Sequence, residues 1–301
     1  MNQLQEDFHR KDYLSSDPLE FAHRFEDPMD QEVVALLSAV LAYGNVKQIR
    51  RSVEDLLARI SSTGMGPSDF VRALQTPEGV KAGGRKLESF VHRFNKGQDI
   101  LIFLQLVERS WKEYGSVGAH FTHYLSPKDV DITQALNGLM GEWKKWAGLR
   151  VPDSFGYLLT APRDGSCCKR WCMFLRWMGR KDELDLGLWA LGGGLVHTFK
   201  NGKFLRPAQL IIPIDTHTGR ISQYLGLTKR RTMNWQTALE VTQNLRSCDA
   251  DDPTRYDFAL ARLGILDLCQ RRYRAEICVR CQLQPACKFA HQELPRGSLA
   301  S

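Results

Sequence analysis

The sequence predicts an all-α protein, and three observations carry that prediction. Apolar residues recur at three- and four-residue spacing along most of the 301 residues, the period of one helix face. No segment alternates apolar and polar residues at period two; the run Leu210–Ile214, rich in β-branched residues, is the one short exception. Helix stops such as Gly44, Ser61-Ser62-Thr63-Gly64 and Gly115 punctuate the periodic stretches.

The elements follow in order. Val33, Val34, Leu36, Leu37, Val40 and Leu41 make one apolar face, with Asp30 as expected N-cap. Ile49, Val53, Leu56, Leu57 and Ile60 make a second helix. Phe70–Leu74 and Leu87–Phe94 read as shorter helices, and Ile100–Tyr114 as a longer one. Ile132–Trp146 precedes a turn at Pro152-Asp153-Ser154. Cys167–Met178 mixes apolar and basic residues with a helical period. Arg220–Leu225, Trp235–Leu245 and Tyr256–Cys269 complete the set. The piece from Gly192-Gly193-Gly194 to Gly202 reads as a loop and lacks the GK[ST] of a phosphate loop.

Composition excludes several classes. With 43% hydrophobic and 25% charged residues, the chain is too apolar for intrinsic disorder. Its longest apolar run, Val33–Tyr43, falls short of the ~20 residues that span a membrane. The polar start MNQLQEDFHRKDYL is no signal peptide. A soluble, cytoplasmic protein with no membrane partner is expected, with a monomer as the default. The length allows about two domains. The net charge of +7 is uneven: Arg163–Lys181 carries +5, and Cys269 to the end carries +4. Such patches attract phosphate backbones, although on charge alone a solvated surface is the better reading.

Four of the eight cysteines cluster as Cys269-x8-Cys278-x2-Cys281-x5-Cys287. In a cytosolic chain, clustered thiols point to a metal before disulfides, either tetrahedral zinc or an iron–sulfur cluster. Cys167, Cys168, Cys172 and Cys248 read as buried free thiols.

Two further segments carry chemistry. In Pro213-Ile214-Asp215-Thr216-His217-Thr218-Gly219-Arg220 an acid follows an apolar run and precedes a helix; Asp215 alone would read as a cap. In Pro162-Arg163-Asp164-Gly165-Ser166-Cys167-Cys168-Lys169 a tight turn opens a helix, whose free N–H groups can hold a phosphate. Lys169 sits on the first helical turn, where the dipole and Arg170 disfavour a second positive charge; alone it would read as a surface lysine. Trp171, Trp177 and Trp189 flank this region and read as core. Lys181, Asp182 and Asp185 read as surface charges, or as a less favoured alternative amine and acid.

Taken together, these motifs resemble the helix-hairpin-helix DNA glycosylases, in particular the endonuclease III branch. Gly165-Ser166-Cys167-Cys168-Lys169 is similar to the G-V-G-x-K part of that branch's hairpin. Ile214-Asp215-Thr216-His217 is similar to its V-D-T-H, and the last two cysteine spacings equal those of its cluster. Leu36-Leu37-Ser38-Ala39 is similar to its L-L-S-A, with Val40 where a stack-filling glutamine is expected. Lys169-Arg170-x-x-Met173-Phe174-Leu175-Arg176-Trp177-Met178 and Tyr256-Asp257-Phe258-Ala259-Leu260 look most like a little-characterised bacterial branch known as a domain of unknown function. The resemblance spans roughly residues 17–290.

The resemblance implies two helical domains flanking a cleft, with the four-cysteine loop at the C-terminal end. One would be a helical barrel over 31–195 that carries the hairpin-like turn. The other would combine 1–30 with 210–301. An insertion over 180–210 has no counterpart in endonuclease III. The implied activity is a DNA N-glycosylase with AP-lyase chemistry on duplex DNA holding a damaged base or an abasic site. Lys169 would be the nucleophile, and Asp215 would stabilise the charge developing on the sugar. Gly165, Ser166, Arg170, Thr216, Thr218 and Arg220 would hold phosphates. Cys269, Cys278, Cys281 and Cys287 would hold a [4Fe–4S] cluster, with zinc as the alternative. In this sequence 46 positions separate Lys169 from Asp215, far more than in endonuclease III, and Cys167 replaces a glycine of the turn. Two other classes stay open: a non-catalytic, structure-specific nucleic-acid-binding protein on the same scaffold, and an enzyme acting on RNA or a free nucleoside.

Overall fold

A computed structural model describes residues 1–293 and is predominantly helical. Asn2–Phe8 forms α1, followed by two 3-10 stretches, Lys11–Ser16 and Pro18–Arg24. Next come α2 (Pro28–Val40), α3 (Val46–Ser61), α4 (Pro67–Ala73) and α5 (Pro77–Leu87). Proline at or near the first position starts α2, α4 and α5, where its missing N–H costs nothing. α6 (Gly97–Tyr114), α7 (Val117–His123), α8 (Thr133–Ala147) and α9 (Lys169–Gly179) follow. α10 (Thr216–Tyr224), α11 (Trp235–Leu245), α12 (Asp257–Ile265), α13 (Ala275–Cys278) and α14 (Lys288–Glu293) end the described chain.

α2 is the central element. Every residue from Glu32 to Val40 is buried, so the helix is covered all round, as an element inside a core must be. It packs against α9 and the 3-10 stretch Pro18–Arg24. Val40, which stands where the stack-filling glutamine is expected, is 1% exposed and belongs to this core. Trp171, Trp177 and Trp189 are core as well. α1 lies on α12, which brings the start of the chain to its last third. No helix among the described residues is long and apolar enough to cross a membrane.

Glu32 is the polar node of this core. Its Oε1 accepts from Gly118 N (3.1 Å) and Trp189 Nε1 (2.8 Å), and its Oε2 from Trp111 Nε1 (2.9 Å) and Val117 N (3.1 Å). Burial raises its pKa, and the four donors pull it back down.

The structure corrects several local expectations. Asp27, not Asp30, caps α2 through Met29 N and Asp30 N; Asp30 instead accepts Ser68 N at 2.7 Å, tying α4 to α2. Leu87–Phe94 is not a helix: α5 ends at Leu87, and β1 (Val91–His92) pairs antiparallel with β2 (Asn95–Lys96). Arg93, at φ 56°, makes the turn. Buried hydrogen bonds hold this hairpin, His92 Nδ1 to Ser52 Oγ and Asn95 Nδ2 to Asp99 Oδ2. Leu210–Ile214 pairs with no strand; Ile212 N–H donates to the Thr242 hydroxyl. α12 stops at Ile265, short of Cys269. Residues 180–210 are mostly irregular, with one bridge, Lys181 to Leu186, and two short 3-10 turns, Val196–Thr198 and Pro207–Gln209.

Candidate functional site

Local structure places both motif residues at helix starts. Lys169 opens α9. The residue before it, Cys168, takes the left-handed conformation (φ 50°, ψ 32°). That position costs a side-chain-bearing residue on the order of 1 kcal/mol. The strained torsion therefore falls on Cys168, not on Cys167 as the glycine pattern suggests. Gly165, at φ 76°, supplies the other left-handed residue of the turn. Asp215 opens α10 as its N-cap, with Oδ1 accepting His217 N and Thr218 N, both at 2.8 Å.

The second carboxylate oxygen of Asp215 is left for other work. Lys169 Nζ lies 3.7 Å from Asp215 Oδ2, with the two side chains 32% and 26% exposed. The pair stands between two cavities. One, about 290 Å³, is walled by Tyr43, Tyr157, Ser166 and Met233. The other, about 90 Å³, reaches towards Asp17, Arg176 and Asp257. Two close approaches fix α10 behind the pair. Met233 packs where a Cβ on Gly219 would sit, and the His217 ring packs where a Cβ on Gly264 would sit.

Of the expected phosphate contacts, Gly165 and Thr216 are exposed and Ser166 is half-buried. Arg170 and Thr218 need correction. Thr218 is 1% exposed. Arg170 is 7% exposed; its guanidinium donates to Val40 O and Tyr157 O and lies over the rings of Tyr43 and Tyr157. Burial lowers its pKa. It braces the cavity wall and cannot meet a phosphate from there. Arg220 turns towards the cysteine loop, donating to Cys269 O at 2.6 Å.

Arg176 and Arg180, counted in the basic stretch, are buried too. Arg176 contacts Asp257 Oδ2 at 2.6 Å and Asp185 Oδ1 at 3.2 Å. Arg180 binds Asp185, Asp182 and Asp252. Asp185 is therefore an internal ion-pair partner and not a surface charge, whereas Asp182 stays at the surface and reaches Arg180 and His9 from there. Sequence reasoning missed Tyr43 and Tyr157 entirely, and quoted Asp257 without a role. Burial raises the Asp257 pKa to about 6; Arg176 opposes the rise, while Asp215 and Asp17 add to it.

All eight cysteines are free thiols in the structure. Cys168 and Cys172 are buried and Cys167 is half-buried, but Cys248 is exposed, contrary to expectation. Cys269, Cys278, Cys281 and Cys287 are all half-buried. Burial pushes the Cys269 thiol up to about 11, with Arg220 opposing and the other three thiols adding. Arg274 N–H points at Cys278 Sγ and Ala290 N–H at Cys287 Sγ, each at 3.4 Å. Among the described residues no three His, Cys, Asp or Glu side chains converge on a single ion. Thiolates around one zinc at ~2.3 Å would have to sit within about 4 Å of each other. The donor types, four thiols of which Cys278 and Cys287 receive a backbone N–H, are those that bind metal as thiolates.

This geometry defines a helical protein with an amine–carboxylate pair at the mouth of two cavities. Residues 17–266 match the family described as "Protein of unknown function (DUF2400)", and the chain belongs to that family. The match includes Lys169, Asp215 and Asp257 and ends before Cys269. No curated protein matches, and no solved structure does.

Proposed function

We propose that the protein is a DNA-repair glycosylase with AP-lyase activity, acting on duplex DNA that carries a damaged base or an abasic site. The observation that carries this reading is the 3.7 Å approach of Lys169 Nζ to Asp215 Oδ2, half-exposed beside a cavity. A damaged nucleotide flipped from the stack would enter between the two helical halves. The uncharged Lys169 amine would attack the sugar C1′ as the bond to the base breaks, the base leaving with the electron pair. Asp215 Oδ2 would stabilise the positive charge on the sugar and accept the proton shed by the attacking nitrogen. Ring opening would give a Schiff base, and β-elimination would nick the strand. Asp215 Oδ1 is occupied as a cap, which fixes the carboxylate plane while Oδ2 works.

In this reading Cys269, Cys278, Cys281 and Cys287 hold a [4Fe–4S] cluster, with zinc as the alternative. Bound metal there would fix the basic loop between Arg271 and Arg280 against the DNA backbone, away from bond breaking. The expected partner is duplex DNA and the working unit a monomer in the cytoplasm.

The test is borohydride trapping on duplexes carrying an abasic site or a panel of damaged bases. A covalent adduct formed by the wild type and absent from Lys169→Gln supports the lyase. Base release without an adduct, abolished by Asp215→Asn, means a monofunctional glycosylase. Neither adduct nor release, with tight duplex binding, leaves a structure-specific binding protein in which Asp215 is only a cap. Turnover of RNA or free nucleosides alone would move the substrate class.

A further inference from the structure

The loop from α10 to α11 carries Lys229-Arg230-Arg231-Thr232, all four exposed, and the proposed chemistry leaves it without a role. It is held firmly. Gln223 Nε2 donates to Arg230 O at 2.6 Å, Arg230 N to Thr228 Oγ1 at 3.0 Å, and Asn244 Nδ2 to Leu227 O at 2.7 Å. Arg230 is itself engaged, its Nε 2.7 Å from Glu240. Lys229 and Arg231 have no carboxylate partner among the described residues.

The far end of this loop meets the turn before α9. Asn234 pairs with Ser166 as an antiparallel bridge, and Met233 lines the cavity beside Lys169 and Asp215. Arg231 is three residues before Asn234, so its Cα lies within about 11 Å of that bridge. At ~3.4 Å of rise per nucleotide of one strand, this reach spans two or three phosphates. The loop exposes no aromatic or large aliphatic side chain between Lys229 and Thr232, so it lacks what a membrane-surface segment needs.

We propose that Lys229 and Arg231, with the turn Gly165–Cys167 bridged to Asn234, grip the sugar–phosphate backbone of the strand that enters the Lys169–Asp215 cavity. Arg230 is the strut of this grip and not a phosphate contact. The inference rests on the duplex-DNA reading and adds which surface holds the reacting strand. Cations fixed on a short, bonded loop lose little freedom on meeting phosphate, so their effect appears mainly as counterion release.

The experiment is fluorescence anisotropy of the full-length protein on a duplex with a stable abasic analogue, titrated from ~50 to ~200 mM salt. Lys229→Ala/Arg231→Ala is compared with wild type and with Lys81→Ala/Arg85→Ala, exposed positions on α5, which packs on α6 and not on the site. The expected result is a log–log salt slope shallower by about 1.8 for the loop variant, two phosphate contacts at ~0.9 each, and an unchanged slope for the α5 variant. An unchanged slope in the loop variant while wild type binds overturns the grip and leaves the glycosylase reading intact. Equal loss in both variants also overturns it, since the attraction is then diffuse. If wild type binds no duplex, the grip falls together with the reading beneath it.

Discussion

Arg176 Nη1 meets Asp257 Oδ2 at 2.6 Å inside the wall of the smaller cavity shared by Lys169 and Asp215. The contact joins the last turn of α9 to the start of α12, and it sets up the clearest pH dependence in the molecule. Burial raises the Asp257 pKa from 3.8 to about 6. A carboxyl that holds its proton more tightly folded than unfolded favours the fold most below its ordinary pKa. That contribution is lost as pH climbs from about 4 to about 6, and its full size is on the order of 3 kcal/mol. Denaturant midpoints measured between those pH values should fall in the wild type and fall less steeply in Asp257→Asn. Parallel curves would mean that Asp257 is ionised throughout.

Capping and chemistry can be separated at Asp215. Asparagine caps a helix about as well as aspartate, while alanine costs ~1 kcal/mol. Asp215→Asn should unfold within about 0.5 kcal/mol of wild type and yet lose base release. Asp215→Ala should lose both. Chemical denaturation alongside a cleavage assay reads the two effects independently.

Glu32→Ala would strand two indole N–H groups and two backbone N–H groups in the core. At ~1–3 kcal/mol for each unsatisfied group, partly relieved by entering water, the loss should be about 4 kcal/mol or more. Glu32→Gln keeps the shape and one acceptor oxygen and should lose about half as much. Urea titration of both variants checks the ordering.

Arg170→Met should destabilise by roughly 2–4 kcal/mol, because the carbonyls of Val40 and Tyr157 lose a buried donor. Duplex affinity should keep its salt slope, since the guanidinium does not face solvent. A slope reduced by about 0.9, the value of one phosphate contact, would instead restore Arg170 to the DNA surface.

Protein purified without oxygen should contain iron and show visible absorption, and Cys281→Ser should lose both. One zinc per chain and no colour would select the single-ion alternative, and would require Cys269, Cys278, Cys281 and Cys287 to draw closer than they now stand.

Helix periodicity located α3, α6, α8 and α11 to within a few residues, because each has one apolar face and a clear stop. A two-residue strand has no period to read, which is why the hairpin at Val91–Lys96 was invisible. Lys169 and Asp215 were legible because each stands in a motif of its own; that they meet is a property of the fold. Charge counting misjudged Arg170, Arg176 and Arg180 because burial does not show in a local sum. Of the two acids that answer Arg176, one is nine positions away and the other 81. Tyr43 and Tyr157 carry no local signal; their rings meet each other at 4.9 Å and take the Arg170 guanidinium only in the fold.

The Glu32 node has a consequence for how the chain assembles. Its donors arrive from positions 79, 85, 86 and 157 residues further along. Closing such long loops is slow, and a carboxylate buried before its donors arrive is penalised. Without Trp189 in place, Glu32 Oε1 keeps only the Gly118 N–H and is one donor short. The irregular stretch carrying Trp189 thus ties the polar centre of the core to a segment 157 residues away: the Glu32 carboxyl has its full set of donors only when that indole has docked.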